Sequence, residues 1–221
     1  MSEASSYSGK TSVTSGRYHA RMDGIGWAVS AMNAARTRLD AAAENLANGS
    51  TDGYRKSDVH GFLTARGVVL RSSRSTAQGP LRRTGRPFDL AIAGSGTFRV
   101  RDGAGSVHAT RSGAFMRDRF GRLVDDSGRA LLGTRGAIVV PDGAVIDERG
   151  AVTRNGAVLN RIALPNGSSV RSGFLEESNV DAIGEMIDVL TAQRSFESAQ
   201  KVLSAIDQTR ERANTQVAQL K

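Results

Sequence analysis

The sequence predicts an α+β protein: long N- and C-terminal helices that pair as an antiparallel coiled coil, with an all-β, hairpin-rich domain inserted between them. Three observations predict it. Near the start, Ala28, Met32, Ala35, Leu39, Ala42 and Leu46 recur in steps of four and three. Near the end, Val189, Ala192, Phe196, Ala199, Leu203, Ile206, Arg210, Ala213, Val217 and Leu220 recur in steps of three and four, all apolar except Arg210. An apolar seam repeating every 3.5 residues belongs to a helix that lies lengthwise on another helix. Between the seams, short β-branched or aromatic groups alternate with glycine-containing turn dipeptides, the mark of hairpins.

Residues 1–21 are rich in Ser, Thr, Gly and Tyr without apolar periodicity and read as a flexible leader, which makes Met22 a candidate working start. Residues 22–49 form the N-terminal helix of a helical core domain, closed at Asn48-Gly49, where glycine can take the left-handed conformation. Residues 50–80 read as an extended connector with a strand or two, in which Gly61 and Gly67 set off Phe62-Leu63 and Val68-Val69-Leu70. Residues 81–173 form the β domain. Its apolar groups, such as Phe88-Asp89-Leu90-Ala91-Ile92 and Thr97-Phe98-Arg99-Val100, lie between turns at Asp102-Gly103, Ser127-Gly128, Asp142-Gly143 and Asn155-Gly156. Gly94-Ser95-Gly96 reads as a tight hairpin turn, because no P-loop lysine follows it. Residues 174–221 form the C-terminal helix, with Ser178 or Asn179 as cap and Ser178-x-x-Asp181 at capping-box spacing. Glu176, Glu177, Asp181 and Glu185 early, with Arg210 and Arg212 late, suit the helix dipole.

The connectivity sets the topology. If both helices attach to one side of the β domain they run antiparallel, yet at 1.5 Å per residue they span about 37 Å and about 60 Å. Part of the longer seam, including Val217 and Leu220, then has no partner within one chain. A large apolar side chain left in water forfeits ~1.5–3 kcal/mol, so neighbouring copies are expected to cover it. The terminal segments are expected to be mobile in dilute monomer and to become helical on polymerisation, because isolated seams are marginal.

Composition narrows the chemistry. The 221 residues include no cysteine, which removes disulfides and thiolate metal ligands from consideration. No run approaches the ~18 apolar residues of a membrane span, and Met1-Ser2-Glu3-Ala4-Ser5-Ser6 lacks the apolar core of a cleavable signal. The formal charge of +8 is uneven: residues 76–175 hold 15 basic and 8 acidic groups, whereas residues 176–221 hold 5 and 8. His19, His60 and His108 have no partner spacing for a triad or a metal. Asp125-Asp126 reads as a turn, and Asp118-Arg119-Phe120-Gly121 lacks the alternating carboxylates of a calcium loop. No catalytic, cofactor or metal site is expected.

Several motifs resemble a known family. Asn45-Leu46-Ala47-Asn48 followed by Thr51-x-Gly53-Tyr54-Arg55 is similar to the N-terminal signature of bacterial flagellar basal-body rod proteins. Leu175-Glu176-Glu177-Ser178-Asn179-Val180-Asp181, then Glu185-Met186-Ile187, Gln193-Arg194-Ser195-Phe196-Glu197 and Lys201-Val202-Leu203, resembles the C-terminal motif of rod and hook subunits. Thr84-Gly85-Arg86-Pro87-Phe88-Asp89-Leu90-Ala91-Ile92, Thr110-Arg111-x-Gly113-x-Phe115 and Gly121-x-Leu123-Val124 resemble the β domain of the larger rod subunits. The ending Asp207-x-x-Arg210-x-Arg212-Ala213-Asn214 is closer to the proximal-rod type, with the distal rod and a hook-type subunit as alternatives.

The resemblance implies a structural subunit of the basal-body rod, exported through the flagellar type III apparatus and polymerising through its terminal helices into a hollow axial shaft. Its partners would be further copies and other axial proteins of rod and hook, not nucleic acid or a small-molecule substrate. The expected assembly residues are Met32, Leu39, Asn45, Leu46, Asn48, Gly53 and Tyr54 from the first half, and Ser178, Asn179, Val180, Ile187, Leu190, Gln193, Arg194, Phe196, Leu203 and Ile206 from the second. Two readings from other classes compete with this one. A basic nucleic-acid-binding coiled-coil protein would show salt-dependent binding centred on residues 76–175, and a cell-wall glycan hydrolase would need paired carboxylates around a cleft.

Overall fold

The computed structural model describes residues 23–64, 67–165 and 167–219, with the side chains of 217–219 left aside. The predicted leader, the Val217 side chain and Leu220 lie outside the described residues. The chain runs α1 (Gly24–Ala47), then a hairpin of β1 (Ser57–Thr64) and β2 (Gly67–Arg74), then β3 (Leu81–Arg83), β4 (Leu90–Ala93), β5 (Phe98–Arg101) and β6 (Val107–Thr110). There follow β7 (Met116–Arg117), β8 (Leu123–Val124), β9 (Ala130–Gly133), β10 (Gly136–Ala137), β11 (Val145–Ile146) and β12 (Ala151–Arg154). The last elements are β13 (Ala157–Arg161), β14 (Ser169–Ser172), β15 (Phe174–Glu176) and α2 (Ala182–Gln219). The α+β class is as expected.

Two strand pairs decide the topology. β4 pairs antiparallel with β14, and β3 with β15. The incoming and outgoing segments of the β domain are thus zipped to each other, which delivers both helices to the same end. Beyond this zipper, β6-β5-β9-β8-β7 form one sheet with β10 added on β9, and β11-β12-β13 form another. Leu90, Ile92, Phe98, Val100, Leu123, Leu131, Ile138, Val152 and Ile162 fill the space between them, with Phe98 and Phe115 edge to face at 5.3 Å. Alternation is visible on β5, where Phe98 and Val100 point inward and Arg99 and Arg101 outward.

The turns repeat one device. In Asp102–Ser106, Asp118–Arg122, Asp125–Arg129 and Asp147–Ala151 the aspartate Oδ1 accepts from the backbone N–H groups two and four residues on. The fourth residue is glycine in each, at positive φ. Its N–H donates to the aspartate carbonyl. A carboxylate that caps two amides makes the tight return possible, and glycine supplies the left-handed residue. In Asp102-Gly103 the left-handed position is therefore Gly105, not Gly103.

These turns carry a pH prediction. The Asp102 carboxyl is held below the usual carboxylate range by its hydrogen bond with His108, and that of Asp142 by its hydrogen bond from Arg117. A carboxyl depressed on folding contributes stability that is fully present above its unfolded pKa and is lost as pH falls through the folded value. The β domain is expected to hold constant stability from neutral pH to about pH 4 and to weaken progressively below it. Urea midpoints at falling pH check this, and Asp142→Asn should flatten part of that acid limb.

Three local expectations are corrected. The helix α2 starts at Ala182, with the Asp181 carboxylate accepting from the Ile183 N–H at 3.1 Å, so Ser178 and Asn179 are not its caps. Leu175 and Glu176 instead extend β15, because the zipper with β3 offers their backbone partners that a helix start would not. At the end of α1, it is Gly53 (φ +72°) and not Gly49 that is left-handed. Finally, Gly94-Ser95-Gly96 does not close a hairpin, since β4 and β5 pair in different sheets and the turn carries the chain from one to the other.

Candidate assembly site

The two sequence motifs, more than a hundred residues apart in the chain, meet at one junction. Asn45, in the last turn of α1, is 1% exposed. Its Oδ1 accepts from the Ser57 N–H (2.8 Å) and the Tyr54 hydroxyl (3.0 Å), while its Nδ2 donates to the Ser57 carbonyl and to Glu185 Oε2, both at 3.0 Å. All the hydrogen-bonding capacity of the amide is used. Glu185, in the first turn of α2 and 1% exposed, also meets Lys56 Nζ at 2.8 Å. That contact holds the Lys56 ammonium above the usual lysine range despite partial burial.

A second buried carboxylate closes the other side. Glu176 ends β15 between Arg55 (3.4 Å) and Arg111 (3.1 Å), and its carbonyl accepts from the Gly53 N–H at 2.6 Å. Burial of the Arg111 guanidinium lowers its pKa, opposed by Glu176. Gly53 is required here twice over: its φ is +72°, and a Cβ would come within 2.3 Å of the Ser112 backbone nitrogen. Asn179 Oδ1 accepts from the Lys56 N–H at 2.7 Å and its Nδ2 donates to the Ala77 carbonyl, so this side chain stitches the connector to the start of α2. Ser178 Oγ accepts from the Val180 N–H, Val180 packs near Gly49, and Asn48 holds the turn after α1 through Glu44 and Thr51.

The predicted seam residues fall on two faces. Ala28, Ala35 and Ala42 of α1 and Ala192 and Ala199 of α2 are buried, and Met32, Leu39, Leu46, Phe196, Leu203 and Ile206 are half-buried along the contact between the helices. The pairing is antiparallel: Asn45 meets Glu185 at one end, and at the other Gly24 lies against Ile206 while Asp23 lies 3.4 Å from Arg210. Beyond Arg210, residues 211–216 are exposed, as the unequal lengths predict.

Ile187 and Leu190 lie elsewhere. With Ile183 and Met186 they occupy positions i, i+3, i+4 and i+7 on the side of α2 facing away from α1. Their exposures are 72% (Ile183), 52% (Met186), 59% (Ile187) and 56% (Leu190). Gln193 and Arg194 continue this face and are exposed, Gln193 donating to Glu197. The first turns of α2 therefore present the buried Glu185 to α1 on one side and an open apolar face on the other.

Lys56, Glu176, Glu185 and Arg111 are absent from the predicted site. The glutamates read as dipole partners of a helix, whereas one sits in a strand and both are neutralised by cations from the connector and the β domain. Much of the basic excess of the β domain is likewise engaged locally, in Arg82–Asp52, Arg86–Asp89, Arg117–Asp142, Arg122–Asp118 and Arg129–Asp125 pairs. Among the described residues no cluster of three or more His, Cys, Asp or Glu could hold a metal, and no helix is long and apolar enough to cross a membrane.

Comparison with known proteins agrees with this geometry. Residues 25–55 match the family model described as flagella basal body rod protein, residues 91–160 the flagellar hook protein FlgE/F/G D1 domain, and residues 171–216 the flagellar basal body rod FlgEFG protein C-terminal. The first and third matches are the segments that meet at the junction. The chain is 31% identical to the flagellar basal-body rod protein FlgF of Mesorhizobium japonicum, over 80% of this chain and 90% of that protein. It is 28% identical to the flagellar basal-body rod protein FlgG of Bacillus subtilis, over 81% of this chain and 93% of the relative. The flagellar hook protein FlgE of Brucella abortus is 37% identical, but over 59% of this chain and 36% of the hook protein.

Proposed function

The chain belongs to the flagellar basal-body rod protein family, and from that membership we propose that it builds the rod by polymerising through its terminal helices, with the junction as a rigid coupling and the open face of α2 as a contact between copies. It is a structural axial subunit of the flagellar basal body. Its task is mechanical: torque must pass between the helical core and the β domain without the two swivelling. The buried ion pairs around Glu176 and Glu185 and the zipped strands suit that task. α1 and α2 act as an antiparallel coiled coil, and the copies that follow in the rod are this chain and other axial proteins. On this reading the chain is exported through the flagellar type III apparatus. The near full-length match to rod proteins, against a partial match to the hook protein, favours rod over hook.

The observation that carries this reading is the i, i+3, i+4, i+7 apolar set on the outward side of α2. Four large side chains left in water on a helix already packed on its other side call for a second helical partner. The test is sedimentation and far-UV circular dichroism of the purified chain over a wide concentration range. Mass and helicity are expected to rise together, because the exposed residues 211–216 gain a partner only in the polymer. A chain that stays monomeric at every concentration, with helicity unchanged, would sink the proposal.

A further inference from the structure

Resting on the reading of the chain as a polymerising subunit, we propose that the outward ridge of α2 in one copy docks into the groove between α1 and β2 of a second copy. This groove, of about 510 Å³, is lined by Gly26, Val29, Ser30, Ala34, Val68 and Leu70, together with the polar Asn33 and Thr37. Gly26, Ser30 and Ala34 keep its floor low on α1, and Val29, Val68 and Leu70 make its walls apolar. It is preformed, because the Val68 N–H donates to Ser30 Oγ at 2.8 Å and so locks the hairpin onto the helix.

Placement identifies the occupant as a second copy. The ridge Ile183, Met186, Ile187 and Leu190 faces away from α1, and by helical periodicity the groove residues Gly26, Val29 and Ser30 lie on the side of α1 away from the Ala28–Ala35–Ala42 seam that meets α2. The helix pair therefore presents a ridge on one side and a groove on the other, and a like-oriented second copy continues the order α2, α1, α2, α1. A helix offering anchors at i, i+3, i+4 and i+7 is what an apolar groove takes. The two surfaces differ, so the contact is heterologous and propagates into an open helical array instead of closing as a dimer.

Position along the axis adds an offset. The ridge lies beside the C-terminal end of α1, where Asn45 meets Glu185, whereas the groove spans the N-terminal half of α1. At 1.5 Å per residue, bringing them together shifts neighbouring copies by about 20 Å along the helices. With the copies aligned, α2 of one runs antiparallel to α1 of the next. Leu190 then reaches Val29, and the acidic leading end of the ridge, Asp181, comes toward the exposed Arg71 and Arg74 of β2. The charges at that end are complementary.

The absence of cysteine from the chain makes the test direct. Val29→Cys and Leu190→Cys alter exposed side chains, and unchanged far-UV spectra confirm that each variant folds. Under mild oxidation each variant alone is expected to stay unlinked, a mixture of the two to give one heterodimer, and the double variant to give a ladder. Adding Ile187→Asp to the Leu190→Cys chain should abolish the heterodimer. Disulfide-linked dimers from Leu190→Cys alone would mean that ridge meets ridge and would overturn the proposal. So would a mixture without heterodimer, under conditions where the unmodified chain polymerises by sedimentation. Failure of the unmodified chain to polymerise would instead remove the parent reading, and this contact with it.

Discussion

Replacing Ile187 or Leu190 by aspartate is expected to abolish polymerisation while leaving the monomer as stable as the parent chain. Both side chains are more than half exposed on the side of α2 away from α1, so a carboxylate there meets water in the monomer. In the polymer the same carboxylate would be buried against apolar groups without a partner. Each lost side chain forfeits ~1.5–3 kcal/mol of burial, and desolvating the new charge costs several kcal/mol more. Phe196→Asp and Leu203→Asp provide the contrast. They place a charge on the half-buried contact between α1 and α2, so the helix pair should separate in the monomer itself, with assembly lost as a consequence. The single tryptophan, Trp27 on α1, reports this: its fluorescence should shift in the Phe196 and Leu203 variants and stay put in the Ile187 and Leu190 variants. The β domain, whose core contains none of these residues, should unfold normally in all four. Polymer formed by Leu190→Asp at the parent concentration would show that the outward face of α2 is not a contact.

Removing the Glu185 carboxylate is expected to produce a large loss of stability. Glu185→Ala leaves the Asn45 amide with an unpaired buried N–H and the Lys56 ammonium without its anion. Breaking a buried pair costs about 3–5 kcal/mol. The Lys56 side chain is 30% exposed and can turn toward water, which places the expected cost near the lower end, about 3 kcal/mol. For a chain of this size that corresponds to a fall in Tm of about 6–12 °C. Glu185→Gln keeps an acceptor for Asn45 and should lose only part of this, and Lys56→Met combined with Glu185→Leu should recover the share due to the unpaired ammonium but not the share due to the unpaired Asn45 N–H. Thermal melts followed at Trp27 and in the far ultraviolet measure both. A Glu185→Ala chain as stable as the parent would mean that the junction is held by the zipped strands alone. The sign with pH can also be checked: the raised Lys56 pKa means that its contribution is complete below the usual lysine pKa and is lost only as pH climbs above it.

The unequal seams were legible because heptad spacing is a property of local sequence, and the overhang past Arg210 followed from counting residues. The Asp-x-x-Gly returns of the β domain were equally present, at Asp118–Gly121 and Asp125–Gly128, but only the coordinates show that one carboxylate oxygen serves two amides in each. The junction was half legible. Asn45, Gly53 and Asn179 stood out as a family resemblance, whereas Glu176 and Glu185 read as ordinary acidic residues near a helix start. Their burial depends on Lys56, Arg55 and Arg111, which lie far away in sequence and meet them in a fold where β3 and β4 pair with β15 and β14.

By itself, then, the sequence determined the class of the fold, the surplus length of the second helix and the family. Each is written in spacing and composition, which short-range physics reads directly. Tertiary structure alone decided which face of each helix is already spent. Phe196 and Leu190 are both large apolar side chains on one helix, and although spacing puts only Phe196 on the seam, it does not say which of the two α1 covers. The strand zipper orients α2 on α1, the Asn45–Glu185–Lys56 contacts set its rotation, and that rotation turns Phe196 inward and leaves Leu190 exposed on the opposite face.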